Sequence, residues 1–283
     1  MPQTESYGVP EFSAETEALV ASEKDLDARL GRVEVVLQKL MRNRRFVGEF
    51  LSATLTRKQF PSDLMRTVDQ HDFTICRSPS GSFSLKLYVW LPGAHHPIHD
   101  HGSWGVFGAY ENELTVVRFH RMDDDQVEDR ATLREGERFT LKPGQTTRIL
   151  PFNEGIHWTG NDTDSMGLTV HVYGKAMRRG YILGFDDKRN VAYRIGTPRL
   201  ERTLLAVKAL ELVGGEAARK ALRDNLSSPY APVRWQCYAG LAKLEGDSLT
   251  RLMEEALSDE DEGVRKKARG FLDCVSSPVE REG

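Results

Sequence analysis

The chain reads as a mostly β protein: a barrel or sandwich of short antiparallel strands, preceded by helices and followed by a small α-solenoid. Three observations predict this. The apolar period is helical from Ser13 to about Val68, switches to two residues at Phe83, and becomes helical again after Gly196-Thr197-Pro198. Turn signals recur at short intervals across the middle zone, from Pro92-Gly93 to Gly160-Asn161-Asp162. The C-terminal zone repeats itself: Leu226-Ser227, Val233-Arg234 and Leu241 are matched 31 residues later by Leu257-Ser258, Val264-Arg265 and Leu272. The expected domains are residues 1–198 and 199–283.

In the first zone, Leu26, Leu30, Val33, Leu37, Leu40 and Met41 form an apolar stripe at three- and four-residue steps, and Phe46, Phe50 and Leu51 continue it on a second segment. Ser13, followed by Glu15 and Glu17, reads as a helix start, because a hydroxyl caps free N–H groups and acidic residues suit the positive end. From Phe83 the alternation puts Phe83, Leu85, Leu87, Val89 and Leu91 on one face, with Ser84, Lys86, Tyr88 and Trp90 on the other. Further strand-like runs are Leu114–His120, Arg138–Leu141, Arg148–Leu150, Leu168–Tyr173, Tyr181–Phe185 and Val191–Ile195. The repeat in the last zone suggests paired helices of HEAT-like type, with Leu204–Val213 as a weaker first unit. So few repeats bury their apolar faces only against neighbours, so this zone is expected to dock on the barrel, on another subunit or on a protein partner.

Composition narrows the class. The 283 residues are 39% hydrophobic and 29% charged, with a net charge of -3, which gives no case for nucleic acid or a membrane as the main partner. Three scattered cysteines, Cys76, Cys237 and Cys274, make a disulfide framework unlike this chain. The N-terminus lacks the basic-then-apolar pattern of a secretion signal, and no apolar run is long enough for a bilayer, so a cytoplasmic protein is expected.

The chemistry begins at His95–Gly105, HHPIHDHGSWG. On a strand, His99 and His101 share a face while Ile98 and Asp100 point the other way, and two imidazoles on one face can bind one divalent ion. Asp100 is therefore not expected as a ligand. A third ligand comes from elsewhere, and His157 is placed for it, in Gly155-Ile156-His157 with Asn161 four residues on. The His-x-His pair resembles the first motif of the cupins, and Gly-x-His with its asparagine resembles the second. The resemblance implies a cupin fold, a double-stranded β-helix or jelly-roll barrel. Many cupins add a glutamate four or five residues after the first motif, where this chain has Gly105 and Val106. Three neutral histidines leave the ion's charge uncompensated, which favours anionic ligands such as a thiolate.

The run Thr169-Val170-His171-Val172-Tyr173 alternates a hydroxyl, an imidazole and a phenol on one face. Taken with the two histidine motifs, it resembles the thiol dioxygenases of the cysteine dioxygenase family, most closely the bacterial branch that includes 3-mercaptopropionate dioxygenase. FSLKLYVWLPGAHHPIHDHGSWGVFG and TVHVYG carry the likeness, over about Phe83 to Tyr181. The resemblance implies one Fe(II) per chain on His99, His101 and His157, a tyrosine hydroxyl at the iron from Tyr173, His171 as its orienting partner, and Thr169 behind it. It also implies oxidation of a small thiol to its sulfinate with O2. Val106 stands where the animal enzymes carry the cysteine that crosslinks to the tyrosine, so no crosslink is expected. The family holds the substrate carboxylate with an arginine. Position 71–73 has none in the animal register, Arg77 is nearest, and Arg178-Arg179 lie earlier than the bacterial position.

His95 and His96 read as loop residues or as the entrance to the site, and His71 and His120 as structural. Trp104 and Trp158 wall the pocket or pack the barrel, and the sequence leaves both open. Two other functions compete with the thiol dioxygenase. One is a cupin dioxygenase for a non-thiol substrate such as a diketone, and the other is a non-enzymatic metal cupin serving as a sensor or scaffold.

Overall fold

The computed structural model describes residues 7–56, 72–125 and 127–276. The chain divides into two compact units, Met1–Ile195 and Gly196–Gly283. Among the described residues, no helix is long and apolar enough to cross a membrane.

The first unit opens with α1 (Val9–Ser22), α2 (Leu26–Met41) and α3 (Phe46–Thr56). Helix α1 begins four residues before the expected Ser13. Its start signals are Pro10, whose fixed φ suits the first turn, and Glu11, whose carboxylate accepts from the Gly8 N–H at 2.9 Å. In α2 the Asp25 carboxylate caps the Ala28 N–H at 2.8 Å, and the stripe Leu30, Val33, Leu37 and Leu40 is buried. The expected continuation to Val68 and the position of His71 lie outside the described residues.

Eleven described strands follow: β1 (Asp72–Arg77), β2 (Phe83–Trp90), β3 (Ile98–His99), β4 (Gly105–Glu111), β5 (Leu114–Arg121), β6 (Leu133–Leu141), β7 (Thr146–Ile149), β8 (His157–Gly160), β9 (Gly167–Gly174), β10 (Tyr181–Asp186) and β11 (Val191–Gly196). One sheet has the order β1-β2-β9-β4-β7 and the other β11-β10-β3-β8-β5-β6, with antiparallel pairing across the first sheet and from β10 to β6 in the second. Strands β2 to β9 thus fall into two four-strand sets, 2-9-4-7 and 3-8-5-6, which is the strand order of a jelly roll.

The first sheet has two unlike faces. Phe83, Leu85, Leu87, Val106, Val170 and Val172 are buried in one cluster with Phe12 and the stripe of α2. Removing one of these buried leucines to alanine costs about 2–5 kcal/mol in comparable cores. The opposite face looks into the barrel, and three rows of register partners cross it. They are Asp72–Tyr88–Thr169–Ala109, Thr74–Lys86–His171–Phe107 and Arg77–Ser84–Tyr173–Gly105. Strand β4 was not among the expected strands. It is buried on both faces along Gly105–Tyr110, so its sequence shows no alternation to read.

The second unit consists of α4 (Pro198–Val213), α5 (Gly215–Asp224), α6 (Ala231–Glu245), α7 (Leu249–Ala256) and α8 (Glu262–Ser276). The 31-residue repeat has a physical counterpart. Arg234 Nη1 donates to Ser228 O at 2.8 Å, and Arg265 Nη1 donates to Asp259 O at 2.6 Å, each reaching six residues back. Val233 and Val264, equivalent in the repeat, are both buried.

Candidate metal centre

Two strands and one loop bring three imidazoles together. His99 and His157 are register partners on β3 and β8, and His101 lies two residues beyond His99, just past the end of β3. One nitrogen from each lies within 4.8 Å of the others, and Nε2 of His101 is 3.4 Å from Nε2 of His157. His99 and His157 are 5% and 7% exposed.

The donor set fits a divalent ion. Nδ1 of His99 is 2.8 Å from the Pro97 carbonyl, and Nδ1 of His157 is 2.9 Å from the Gly155 carbonyl. A carbonyl only accepts, so each Nδ1 carries the proton and each Nε2 lone pair is left for a ligand bond. Burial, reinforced by the other imidazoles, holds His101 well below the usual histidine range. Burial also brings His157 down to about 4, against the opposing pull of the Gly155 carbonyl. Neutral His101 and His157, with an imidazole nitrogen of His99 beside them, are the donor set a metal needs.

The local sequence explains the geometry. Gly155 precedes His157 because a Cβ there would stand 1.8 Å from the Leu150 carbonyl oxygen. Asn161 serves the turn rather than the ion: its Nδ2 donates to Trp90 O, Leu91 O and Ser165 O at 2.7–3.2 Å, and its Oδ1 accepts from Thr163. Asp100 points away from the imidazoles, as alternation requires, and is fully buried. Its Oδ1 accepts from Leu183 N at 2.7 Å and is ion-paired with Arg178.

The polar run on β9 forms a hydrogen-bonded row. Thr169 Oγ1 lies 2.7 Å from His171 Nε2, and His171 Nδ1 lies 3.0 Å from the Tyr173 hydroxyl. Trp90 adds a fourth member, its Nε1–H donating to Thr169 Oγ1 at 2.8 Å. Trp90 only donates, so the Thr169 oxygen accepts from it and its own hydrogen is available to His171 Nε2. That leaves the imidazole proton on Nδ1, donating to the tyrosine oxygen. Burial holds His171 well below the usual range, which keeps it in this neutral form. The Tyr173 ring stacks at 5.4 Å on His101, so the row ends beside the imidazole cluster.

The other expected residues sort differently. Arg178 is committed to Asp100, with its guanidinium 5.4 Å from the Phe152 ring and 4.9 Å from that of Tyr181, which takes it out of the clamp the sequence suggested. Arg179 is exposed, and Arg77 is exposed at the end of β1, in the row of Ser84 and Tyr173. Val106 does not face Tyr173. It is turned to the helices, and Gly105 stands opposite the tyrosine, where a Cβ would lie 3.0 Å from Tyr173 Cδ1. Trp104 and Trp158 both pack in outer clusters rather than in the site.

Sequence reasoning missed two cations that stand in register with site residues. Lys86 is the register partner of His171 and is ion-paired with Asp72, while Arg118 is the register partner of His157 and donates to Thr147 Oγ1 at 2.9 Å. The alternation already put Lys86 on the polar face of β2, and that signal could have found it. A cavity of about 330 Å³ is lined by Tyr88, Trp90, His95 and His96 among others. The His96 ring is 4.5 Å from Trp90 and 5.8 Å from His99, so His96 is a wall of this cavity, beside the cluster.

No family model matches the chain. Similar solved structures include a Cupin 2 conserved barrel domain protein from Salinispora arenicola CNS-205, at 17% identity over 42% of this chain and 89% of that one, with a TM-score of 0.29. A cupin-like protein from Thermotoga maritima MSB8 is 15% identical over 44% of this chain and 75% of that one, with a TM-score of 0.29. Bacillus subtilis oxalate decarboxylase, described with Mn(II) centres, is 17% identical over 34% of this chain and 22% of that one, with a TM-score of 0.25. Likenesses at this level decide nothing further. The cupin-like character of the unit rests on its strand order and on the histidine cluster that could hold a metal ion.

Proposed function

We propose that the protein is an Fe(II)-dependent thiol dioxygenase that converts a small thiol and O2 to the sulfinate. The observation that carries this reading is the conjunction of three clustered imidazoles with the Trp90–Thr169–His171–Tyr173 row ending beside them. Bound there, iron supplies the redox chemistry and a positive centre that attracts a thiolate and O2. The chain's own part is positioning. The pinned Nδ1 atoms fix the His99 and His157 imidazoles, and the row sets the orientation of the Tyr173 hydroxyl. That hydroxyl can donate to, or pass a proton to, an oxygen held at the cluster, and Thr169 and Trp90 keep His171 in the tautomer that leaves it so aimed. A protein-contact role for the C-terminal helices and a cytoplasmic setting belong to the same reading.

Oxygen uptake by the iron-loaded protein across a thiol panel, with the product weighed by mass spectrometry, tests this. Consumption of about one O2 per thiol with a sulfinate product is expected. Uptake with β-diketones and none with thiols would assign the centre to another cupin chemistry. No turnover with either would favour a sensor.

A further inference from the structure

The repeat in the helical unit places equivalent residues in unlike surroundings. On α6, Arg234, Tyr238 and Leu241 share one stripe of the helix, and all three are buried. The turn between α7 and α8 closes over this stripe. Asp259 fills the fork of Arg234 with two hydrogen bonds, and burial, with the charges of Glu255 and Asp259 beside it, pushes the Tyr238 hydroxyl up. The same stripe 31 residues later, on α8, is Arg265, Arg269 and Leu272. Arg265 keeps the inner contact of its counterpart: its Nη1 donates to Asp259 O, as that of Arg234 donates to Ser228 O. The outer edge differs. Among the described residues, Nε and Nη2 of Arg265 have no acceptor and Arg269 has no ion pair, and Arg265 and Leu272 are half-buried while Arg269 is exposed. A polar cap on the stack would account for an arginine at position 269. It does not account for a fork held open at 265 in the posture that receives a carboxylate one repeat earlier.

We infer that this stripe of α8 is a docking surface for a protein partner, and that the partner presents an acidic segment with a glutamate four residues ahead of an aspartate. The spacing comes from the covered stripe, where Asp259 sits in the Arg234 fork and Glu255, four residues earlier, lies beside Tyr238. Carried one repeat on, an aspartate enters the Arg265 fork through two parallel hydrogen bonds. A glutamate four residues before it then meets Arg269, which stands where Tyr238 stands in the repeat before. Both charges asked of the partner are negative, so it is selected by sign and by spacing together. The contact continues an interface that the chain already makes with itself between α6 and the turn after α7. It does not depend on the chemistry of the metal centre.

The probe is a fluorescent peptide copying residues 249–264, which carries Glu255 and Asp259 in the sequence that closes over α6. It is titrated with the full chain and followed by anisotropy. Binding that weakens with added salt is expected. Arg265→Gln should weaken it about tenfold, the scale of a charge-assisted contact, and Arg269→Gln about threefold, the scale of an exposed ion pair. Combining changes on the two sides reads the pairing. Asp259→Asn in the peptide should add nothing to the loss in Arg265→Gln but should multiply with that in Arg269→Gln, and Glu255→Gln in the peptide should show the opposite pattern. The peptide changes leave the protein intact, so a folding defect in an arginine variant does not imitate this pattern. No binding, or losses that multiply in every combination, would overturn the inference. So would either of two other occupants. A wild-type dimer in sedimentation that Arg265→Glu dissociates would make the occupant a second copy. Tighter peptide binding by Glu280→Gln/Glu282→Gln would make it the chain's own residues 277–283.

Discussion

Each unit contains buried ion pairs, and one from each, Arg234–Asp259 and Lys86–Asp72, are built differently. In the helical unit, Arg234 meets Asp259 with two parallel hydrogen bonds, Nε to Oδ2 at 2.8 Å and Nη2 to Oδ1 at 2.7 Å, and its third nitrogen donates to Ser228 O. Both side chains are about as buried as any charge becomes, at 5% and 4% exposure. The guanidinium's fork matches the carboxylate, so one repeat is tied to the next with no bonding capacity turned to a cavity. In the barrel, a lysine replaces the arginine. Its ammonium is a compact charge with three donors, and its neighbours include a phenol ring and the hydrogen-bonded row on β9. A saturated pair reads as structure.

The largest effect should come from breaking the saturated pair. Arg234→Ala leaves Asp259 buried and alone, and should destabilise the helical unit by ~3–5 kcal/mol in a denaturant titration followed by helical circular dichroism. Metal content and thiol affinity should stay as in wild type. A loss of thiol affinity in this variant would erase the distinction between the two pairs.

Acid should separate the two units next. Every histidine of the chain lies before residue 196, and in the metal-free protein His101, His157 and His171 are held neutral, His157 down to about 4. A folded-state value depressed below the unfolded 6.5 means that the unfolded chain takes up protons the folded one refuses. The barrel's stability is therefore full above about pH 6.5 and declines as the pH falls toward 4. In the helical unit, burial tends to raise the Asp259 carboxyl, but the Arg234 hydrogen bonds outweigh it and lower it below 3.8, so acid loss there waits for a lower pH. Thermal melts between pH 7 and 4 on the metal-free protein, read by near-UV and far-UV dichroism separately, should show the barrel weakening first. Simultaneous weakening would contradict the assignment of neutral buried imidazoles.

A smaller effect sharpens what lies beside the lysine pair. Tyr173→Phe should keep the metal and slow thiol oxidation by about tenfold or more, and His171→Ala should act in the same direction. The double variant should cost less than the two single losses added as free energies, because His171 acts by aiming Tyr173. Additive losses in kcat would show two independent residues.

The metal ligands were legible because their signal is local. His99-x-His101 shows in alternation, and Gly155 before His157 marks a backbone approach only glycine tolerates. The row on β9 was legible for the same reason. What stayed hidden depends on register. Nothing near Arg178 in sequence says that Asp100 will hold it across the fold, and nothing near Lys86 says that Asp72 and His171 will flank it. The facing of Gly105 rather than Val106 to Tyr173 depends equally on how β4 pairs with β9. Helix α1 was misplaced because Ser13 with two acidic residues imitates a cap, whereas the cap in use is Gly8 with Glu11.

Metal analysis of the purified protein tests the centre most directly. Wild type should hold about one iron per chain, and the triple variant His99→Ala/His101→Ala/His157→Ala should hold almost none, with unchanged circular dichroism. Normal iron loading by the triple variant would contradict the metal centre and everything derived from it.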